Sequence, residues 1–193
     1  MAPKDENELR HMLYTALTVD GPAALRYPRG NGIGVPLDPG FKHLEIGKGE
    51  ILREGRDIAI LALGSMVYPC LEAAEQLEAL GIRATVVNAR FMKPLDEALI
   101  CCLAAENQFL VTAEEGTEAG GFGMHVAALL QDRKIPASIL RIAVPDRVIP
   151  HGAPNLLHAK YGLDVDGIVE KVKNFASEFP ARAELKHRAV PSP

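Results

Sequence analysis

The sequence lacks the features that mark several classes of protein. It has only three cysteines, Cys70, Cys101 and Cys102, and no CxxC spacing, so we predict reduced, mostly buried thiols and neither a disulfide framework nor a zinc site. No apolar run approaches the roughly 18–20 residues of a membrane span, and the first residues, MAPKDENELR, do not resemble a signal peptide. The net charge of −4 comes from interspersed charges, which disfavours nucleic-acid and membrane partners. We therefore expect a cytoplasmic protein.

The central part of the chain alternates between strand and helix patterns. Of the 193 residues, 48% are apolar, enough for one sizeable core. Apolar runs and helical periodicity predict the following order: strand 58–63, helix 66–80, strand 84–88, helix 96–104, strand 109–113, helix 122–131, strand 138–142 and a last helix opening at Asp164. Such alternation indicates right-handed crossovers. We predict a three-layer α/β/α fold with a mixed, mostly parallel five-stranded sheet.

One further strand is predicted to make this sheet mixed. The stretch EIGKGEILREGRDIAILAL contains two strand patterns around Glu54-Gly55, which favours a turn between them. We therefore expect the first of the two strands to lie at the edge, antiparallel to strand 58–63.

Residues 1–34 are predicted to belong to a different domain from the rest of the chain. Asp5 is a candidate N-cap for a helix whose residues Leu9, Met12, Leu13, Ala16 and Leu17 share one stripe. The segment AALRYP then reads as a strand ended by Pro28. Because one helix and one strand cannot make a core, we interpret 1–34 as the end of a truncated domain. Residues 35–42 are the predicted connector, 43–178 the second domain and 179–193 a disordered tail.

The stretch VTAEEGTEAGGFGMHV has the layout of a phosphate-binding loop but not its residues. Val126 stands where a dinucleotide fingerprint needs its third small residue, and Phe122 and Gly123 stand where a P-loop needs Lys and Ser or Thr. Its three glutamates would also repel a phosphate. Two interpretations stay open, a tight turn whose acids complement the helix dipole or a close approach to a second subunit.

The other polar cluster is RYPRGNG. The glycines after Pro28 let a ligand come near, and Arg29 could grip a phosphate with two charge-assisted hydrogen bonds. The alternative is an ordinary surface arginine paired with a carboxylate. Ser65, at a strand end, is interpreted as an N-cap, and His151 as a structural or interfacial residue because no serine or cysteine elbow accompanies it.

Four segments together resemble the C-terminal region of the 1-deoxy-D-xylulose-5-phosphate synthases, within the transketolase superfamily: LRYPRGN, ARFMKPLDEALI, LVTAEEGTEAGGFGMHV and VPDRVIPHG. The similarity covers about residues 5–177. It implies a homodimeric enzyme that uses thiamine diphosphate and magnesium to join pyruvate to glyceraldehyde 3-phosphate for isoprenoid synthesis.

The resemblance also assigns roles within this chain. It implies that residues 1–34 end a pyrimidine-binding domain, that Arg29 contacts the acceptor phosphate, and that the glycine loop borders the dimer interface through Glu114, Glu115, Gly120, Gly121 and Gly123. The family's Gly-Asp-Gly cofactor motif does not occur here, so no catalytic, cofactor-binding or metal-binding residue is expected. This chain alone is expected to bind no cofactor and to be inactive.

Two other functions are considered. The chain resembles, less specifically, the C-terminal domain of transketolase or of an oxoacid dehydrogenase β-subunit, which would make it a module that docks a partner protein. It could also be a free-standing α/β binding domain with a crevice near Gly64 and Glu114. The incomplete front end argues against this last possibility.

Overall fold

The computed structural model describes residues 1–107 and 109–178. Its elements, in chain order, are α1 (Glu6–Leu17), β1 (Glu50–Arg53), β2 (Ile58–Ala62), α2 (Val67–Ala79), β3 (Ala84–Asn88), α3 (Glu97–Glu106), β4 (Phe109–Thr117), α4 (Phe122–Asp132), β5 (Ser138–Val144), α5 (Pro154–Tyr161) and α6 (Val165–Ser177). A short 3-10 turn, Gly64–Met66, joins β2 to α2. The predicted disordered tail, 179–193, lies outside the described residues.

The five strands form one sheet in the order β1-β3-β2-β4-β5. β2 runs parallel to both β3 and β4, and β4 runs parallel to β5. Only β1 is antiparallel, to β3. The predicted mixed, mostly parallel five-stranded sheet is therefore confirmed.

Helices cover both faces of this sheet. On β2 every residue is buried. Because side chains alternate along a strand, Ile58 and Ile60 point into a core shared with α2 and α6, whereas Ala59 and Leu61 point into a second core shared with α3 and α4. The predicted three-layer arrangement is confirmed.

The partner predicted for β1 is wrong. β1 pairs with β3, not with β2, because the chain crosses past the start of β3 instead of turning back. The Gly55 amide donates to Thr85 Oγ1 at 3.0 Å, and an added Cβ at Gly55 would lie 2.3 Å from the Ala84 carbonyl carbon. Glycine is needed here for this close crossing rather than for a hairpin turn.

Two predictions for the front of the chain also fail. The segment AALRYP is not a strand. Its backbone pairs with no strand of the described sheet and contacts Met1 instead, since the Arg26 amide donates to Met1 O at 2.9 Å and the Met1 amino group donates to Ala24 O at 2.8 Å. Asp5 does cap α1, accepting from the Glu8 amide at 2.7 Å. The apolar stripe predicted for α1 is wrong, because Leu13 is 54% and Leu17 79% exposed. The buried side of this helix is mainly polar and consists of Glu8, His11 and Thr15 beside Met12.

The helix α5 was not predicted. None of its residues is fully buried, so it has no apolar stripe to reveal it. Pro154 starts it and Gly162, with φ +64°, ends it, as expected of proline and glycine at those positions. No helix in the described part of the chain is both long and apolar enough to span a bilayer.

Candidate functional site

The site candidate is a cleft between the front segment and the carboxyl end of the sheet. In open α/β sheets ligands bind at this end of the strands. The cleft has a volume of about 730 Å³, and its walls come from residues 3–9, from residues 27–33 and from the start of α2. A smaller hollow of about 160 Å³ adjoins it and shares Tyr27, Pro28 and Ser65.

The front segment is attached to the sheet by a buried carboxylate. The side chain of Glu8 is 3% exposed. Its Oε1 accepts from Asn88 Nδ2 at 2.8 Å and from Arg90 Nε at 2.7 Å, and its Oε2 accepts from the Lys4 amide at 2.8 Å. Arg90 also donates to Glu50 Oε2 at 2.6 Å. Removing one member of such a buried set leaves the others unsatisfied.

A second contact joins the first turn of α1 to α2. The hydroxyl of Tyr68 donates to Asp5 Oδ2 at 2.8 Å. Burial opposes ionisation of Asp5, but hydrogen bonds from Lys4, the Glu8 amide and Tyr68 outweigh it and lower the pKa of this carboxyl. Burial, together with the hydrogen bond to Asp5 and its charge, raises the pKa of Tyr68 to about 12. The pair is therefore a phenol donating to a carboxylate near neutral pH.

The connector is held against α1 by side chains of that helix. His11 Nδ1 accepts from the Lys42 amide at 3.0 Å, so its Nε2 donates to Asp38 Oδ2, also at 3.0 Å. Thr15 Oγ1 accepts from the Leu44 amide at 2.9 Å. These polar positions on α1 look like a solvated face in the sequence, because nothing local shows that a distant backbone segment will cover them.

Arg29 lies on the wall of the large cleft and is exposed. Within residues 1–107 and 109–178 it has no hydrogen-bond or ion-pair partner. The alternative, a surface arginine paired with a carboxylate, is therefore not what this chain shows. Arg26 lines the smaller hollow instead.

Ser65 and Glu115 also meet at this end of the sheet. Ser65 Oγ donates to Glu115 Oε2 at 2.5 Å, and His158 Nε2 on α5 lies 2.9 Å from Glu115 Oε1. Ser65 is thus not the N-cap that the sequence predicted, since Leu63 precedes the 3-10 turn and α2 starts without a side-chain cap. With the carboxylate between them, the serine is not activated by the histidine as in a hydrolase triad.

The glycine loop encloses its own first glutamate. Glu114 is 2% exposed and accepts from the Gly123 amide at 2.9 Å, which places a carboxylate at the N-terminus of α4 as the dipole favours. A Cβ on Gly116 would lie 2.3 Å from Glu114 Oε2, and one on Gly121 2.5 Å from Oε1. Of the residues predicted at the dimer interface, Glu114, Gly121 and Gly123 are buried, Glu115 is half-buried and Gly120 is exposed.

Neither Cys70 nor Cys102 is an activated nucleophile. Burial raises the pKa of Cys70 to about 12, and a hydrogen bond to Glu106 raises the pKa of Cys102. Across the described ranges no three His, Cys, Asp or Glu side chains are grouped so that they could hold a metal ion. The cleft can therefore bind and orient a ligand, with Arg29 as a cation that has no partner among the described residues.

Comparison with known proteins identifies the fold family. A sequence model of the transketolase C-terminal domain matches residues 47–168. The chain belongs to this family. It is 56% identical over 176 residues to 1-deoxy-D-xylulose-5-phosphate synthase 1 of Geobacter metallireducens, covering 91% of this chain and 28% of the relative. It is 48% identical over 193 residues to the synthase of Heliobacterium modesticaldum, covering 100% and 30%. The chain thus spans less than a third of these relatives.

Solved structures agree with this transketolase C-terminal fold. A structure described as a split gene transketolase, inactive β4 tetramer, has a TM-score of 0.77 and 32% identity, covering 91% of this chain and 56% of that one. A transketolase from Campylobacter jejuni has a TM-score of 0.51 at 17% identity, covering 66% and 18%, and shows the fold alone. The predicted family resemblance is confirmed.

Proposed function

We propose that this chain is the C-terminal part of a thiamine-diphosphate-dependent 1-deoxy-D-xylulose-5-phosphate synthase, a homodimeric cytoplasmic enzyme. The reaction condenses pyruvate with glyceraldehyde 3-phosphate. Support comes from the two synthases described above, each nearly half or more identical to this chain over at least nine tenths of its length.

The residues of this chain do not fit the cofactor or its magnesium ion. No Gly-Asp-Gly motif is present, and the described part of the chain has no metal-holding cluster. When bound, thiamine diphosphate supplies the carbanion chemistry, and we assign it to residues outside this chain. The related split gene transketolase β4 tetramer is described as inactive, which supports the expectation that this chain alone does not catalyse.

The role proposed for this chain is to bind the acceptor substrate. The observation that carries it is an exposed Arg29, without a partner among the described residues, on the wall of a cleft of about 730 Å³. A guanidinium fork grips a phosphate through paired charge-assisted hydrogen bonds. The glycine loop is proposed to lie at the dimer interface, where Glu115 and Gly120 are the members not buried within the single chain.

The test is Arg29→Ala in the full-length synthase. Losing charge-assisted bonds worth about 1.5–3 kcal/mol should raise the KM for glyceraldehyde 3-phosphate by about 10- to 100-fold. Decarboxylation of pyruvate and the KM for unphosphorylated glyceraldehyde should stay unchanged. Steady-state kinetics with each substrate measures this.

The matched control is Arg133→Ala. Arg133 is also exposed, but it pairs with Glu97 on α3, away from the cleft. It should leave all three constants unchanged. Equal losses toward pyruvate and the acceptor in Arg29→Ala would contradict the proposed role.

A further inference from the structure

The loop that carries Arg29 is fixed at both of its ends by the segment before it. At the first end, the Arg26 amide donates to Met1 O at 2.9 Å. Met1 is in turn fixed by its neighbour Ala2, whose amide donates to Arg90 O at 2.9 Å. On the other side, the loop meets the side chain of Glu6 in the first turn of α1. Both anchors belong to residues 1–8, which Glu8 holds on the end of β3.

The contact with Glu6 consists of three successive backbone amides. Glu6 Oε1 accepts from Gly34 at 2.6 Å and from Val35 at 3.0 Å, and Oε2 accepts from Ile33 at 3.1 Å. A carboxylate held by several backbone amides is strongly favoured in its charged form. Hydrogen bonding from the Glu6 amide itself, together with the bonds from Gly34, Ile33 and Val35, lowers the pKa of the Glu6 carboxyl, although burial opposes this shift.

Glycine at position 32 is required for this contact. A Cβ at Gly32 would lie 2.7 Å from Glu6 Cδ and 2.8 Å from its Oε2, so a side chain there would displace the carboxylate. Gly34 has φ +90°, a conformation that places successive amides toward one anion and that other residues rarely adopt. Glu6, Gly32 and Gly34 thus form one unit, which we call the Glu6 clamp.

We propose that the Glu6 clamp is a positioning device for Arg29 and so sets the affinity for the phosphorylated acceptor. The inference rests on the proposed function of Arg29. Between the two anchors the chain has Pro28 to restrict it and otherwise exposed residues. Without the clamp, the next hydrogen bond along the described chain is from the Asp38 amide to Asn7 Oδ1 at 2.9 Å, so residues 27–37 would be held by hydrogen bonds at their ends alone. A guanidinium that must align with a phosphate loses affinity when its backbone is free to move.

The decisive experiment is a series of variants in the full-length synthase, with the KM for glyceraldehyde 3-phosphate as the readout. Glu6→Ala removes all three acceptor contacts and should raise this KM about tenfold, with pyruvate decarboxylation and the KM for unphosphorylated glyceraldehyde unchanged. Glu6→Gln keeps one carbonyl oxygen for Gly34 and Val35 and should lie between the wild type and Glu6→Ala.

Two further variants separate positioning from a general loss of structure. Gly32→Ala disturbs the same contact from the loop side and should raise the KM for glyceraldehyde 3-phosphate as Glu6→Ala does. Gly40→Ala is the control, since an added Cβ there meets nothing within 4 Å, and its KM should equal that of the wild type. In the double variant Glu6→Ala/Arg29→Ala the KM should be no higher than in Arg29→Ala, because a clamp without its arginine has nothing to position.

The outcomes distinguish the two levels of the proposal. If Arg29→Ala raises the KM for the phosphorylated acceptor but Glu6→Ala does not, or if their effects add in full, the clamp inference is overturned and the function of Arg29 stands. If Arg29→Ala leaves this KM unchanged, both are wrong. Hydrogen exchange at residues 33–35 checks that Glu6→Ala releases the loop while the sheet keeps its protection.

Discussion

The front of the molecule and its body are stabilised in different ways. The body, residues 45–178, packs two apolar layers against a sheet whose central strand is fully buried. The front, residues 1–44, buries Met12 and Ala2 but is held mainly by polar contacts of Asp5, Glu6, Glu8, His11 and Thr15. Hydrophobic burial is non-directional, whereas these polar contacts work in one arrangement only. The front is therefore fixed precisely in place but sensitive to single changes.

The largest expected effect comes from the body. Ile60 lies at the centre of β2 and is 0% exposed, so Ile60→Ala should lower the free energy of unfolding by about 4 kcal/mol, through lost transfer energy and a residual cavity. Ile60→Val should lower it by about 1 kcal/mol. Chemical denaturation followed by circular dichroism gives both values. If the two variants were equally stable, the apolar layers would not be what stabilises the body.

A smaller and more local effect is expected for the attachment of the front. Glu8→Ala removes the shared acceptor of Asn88 and Arg90 and should cost about 3 kcal/mol, because the buried Asn88 amide loses this acceptor and Arg90 keeps only Glu50. Hydrogen exchange should then rise in α1 and the connector and stay low in β2 and β4. Uniform loss of protection across both regions would show that front and body unfold as one unit. Glu75→Ala, on an exposed face of α2, is the control.

The smallest effect is a response of the connector to pH. Hydrogen bonds from Lys42, His11 and Asn7 lower the pKa of Asp38 from 3.8 to about 2. A depressed pKa gives stability that is present above the unfolded value and is lost as pH falls through the folded value. Between about pH 4 and pH 2 the connector should therefore loosen before the body does. Cleavage by pepsin within residues 36–44 measures this.

Asp38→Asn provides the comparison for that experiment. It removes the titrating carboxyl but keeps one oxygen that can accept from His11. Its cleavage at pH 4 should already match that of the wild type at pH 2, and its dependence on pH over this range should be flatter. An unchanged profile would mean that another group controls the connector.

The same contrast explains which features the sequence predicts. Strands β3 and β5 and helices α2, α4 and α6 are found within a few residues of their predicted bounds, because each has a local apolar pattern. The partner of β1 is not predicted, since it depends on how closely Gly55 passes Ala84. Helix α5 has no buried residue to reveal it.

The sequence predicts the chemical type of the candidate site but not the contacts that build it. Arg29 between proline and glycine suggests a ligand, but only the folded structure shows that it has no partner within residues 1–107 and 109–178. The contacts of Glu6 and Glu8 reach residues far along the sequence, at Ile33 and Asn88, so no local pattern predicts them. In the sequence the glycine loop has the layout of an anion-binding loop. In the structure the anion at this position is the carboxylate of Glu114 from the same chain.

The crossing at Gly55 has a consequence for the order of assembly. Although β1 is synthesised before the other strands of this sheet, its neighbour in the sheet is β3, so β2 and α2 must be made before that neighbour exists. The hydrogen bonds between β1 and β3 can therefore form only after the intervening β2 and α2 have been made. Until β3 has been made, β1 has no neighbouring strand in the described sheet. It is four residues long and bears Glu50 and Arg53, and both its shortness and its charges limit pairing with other nascent chains.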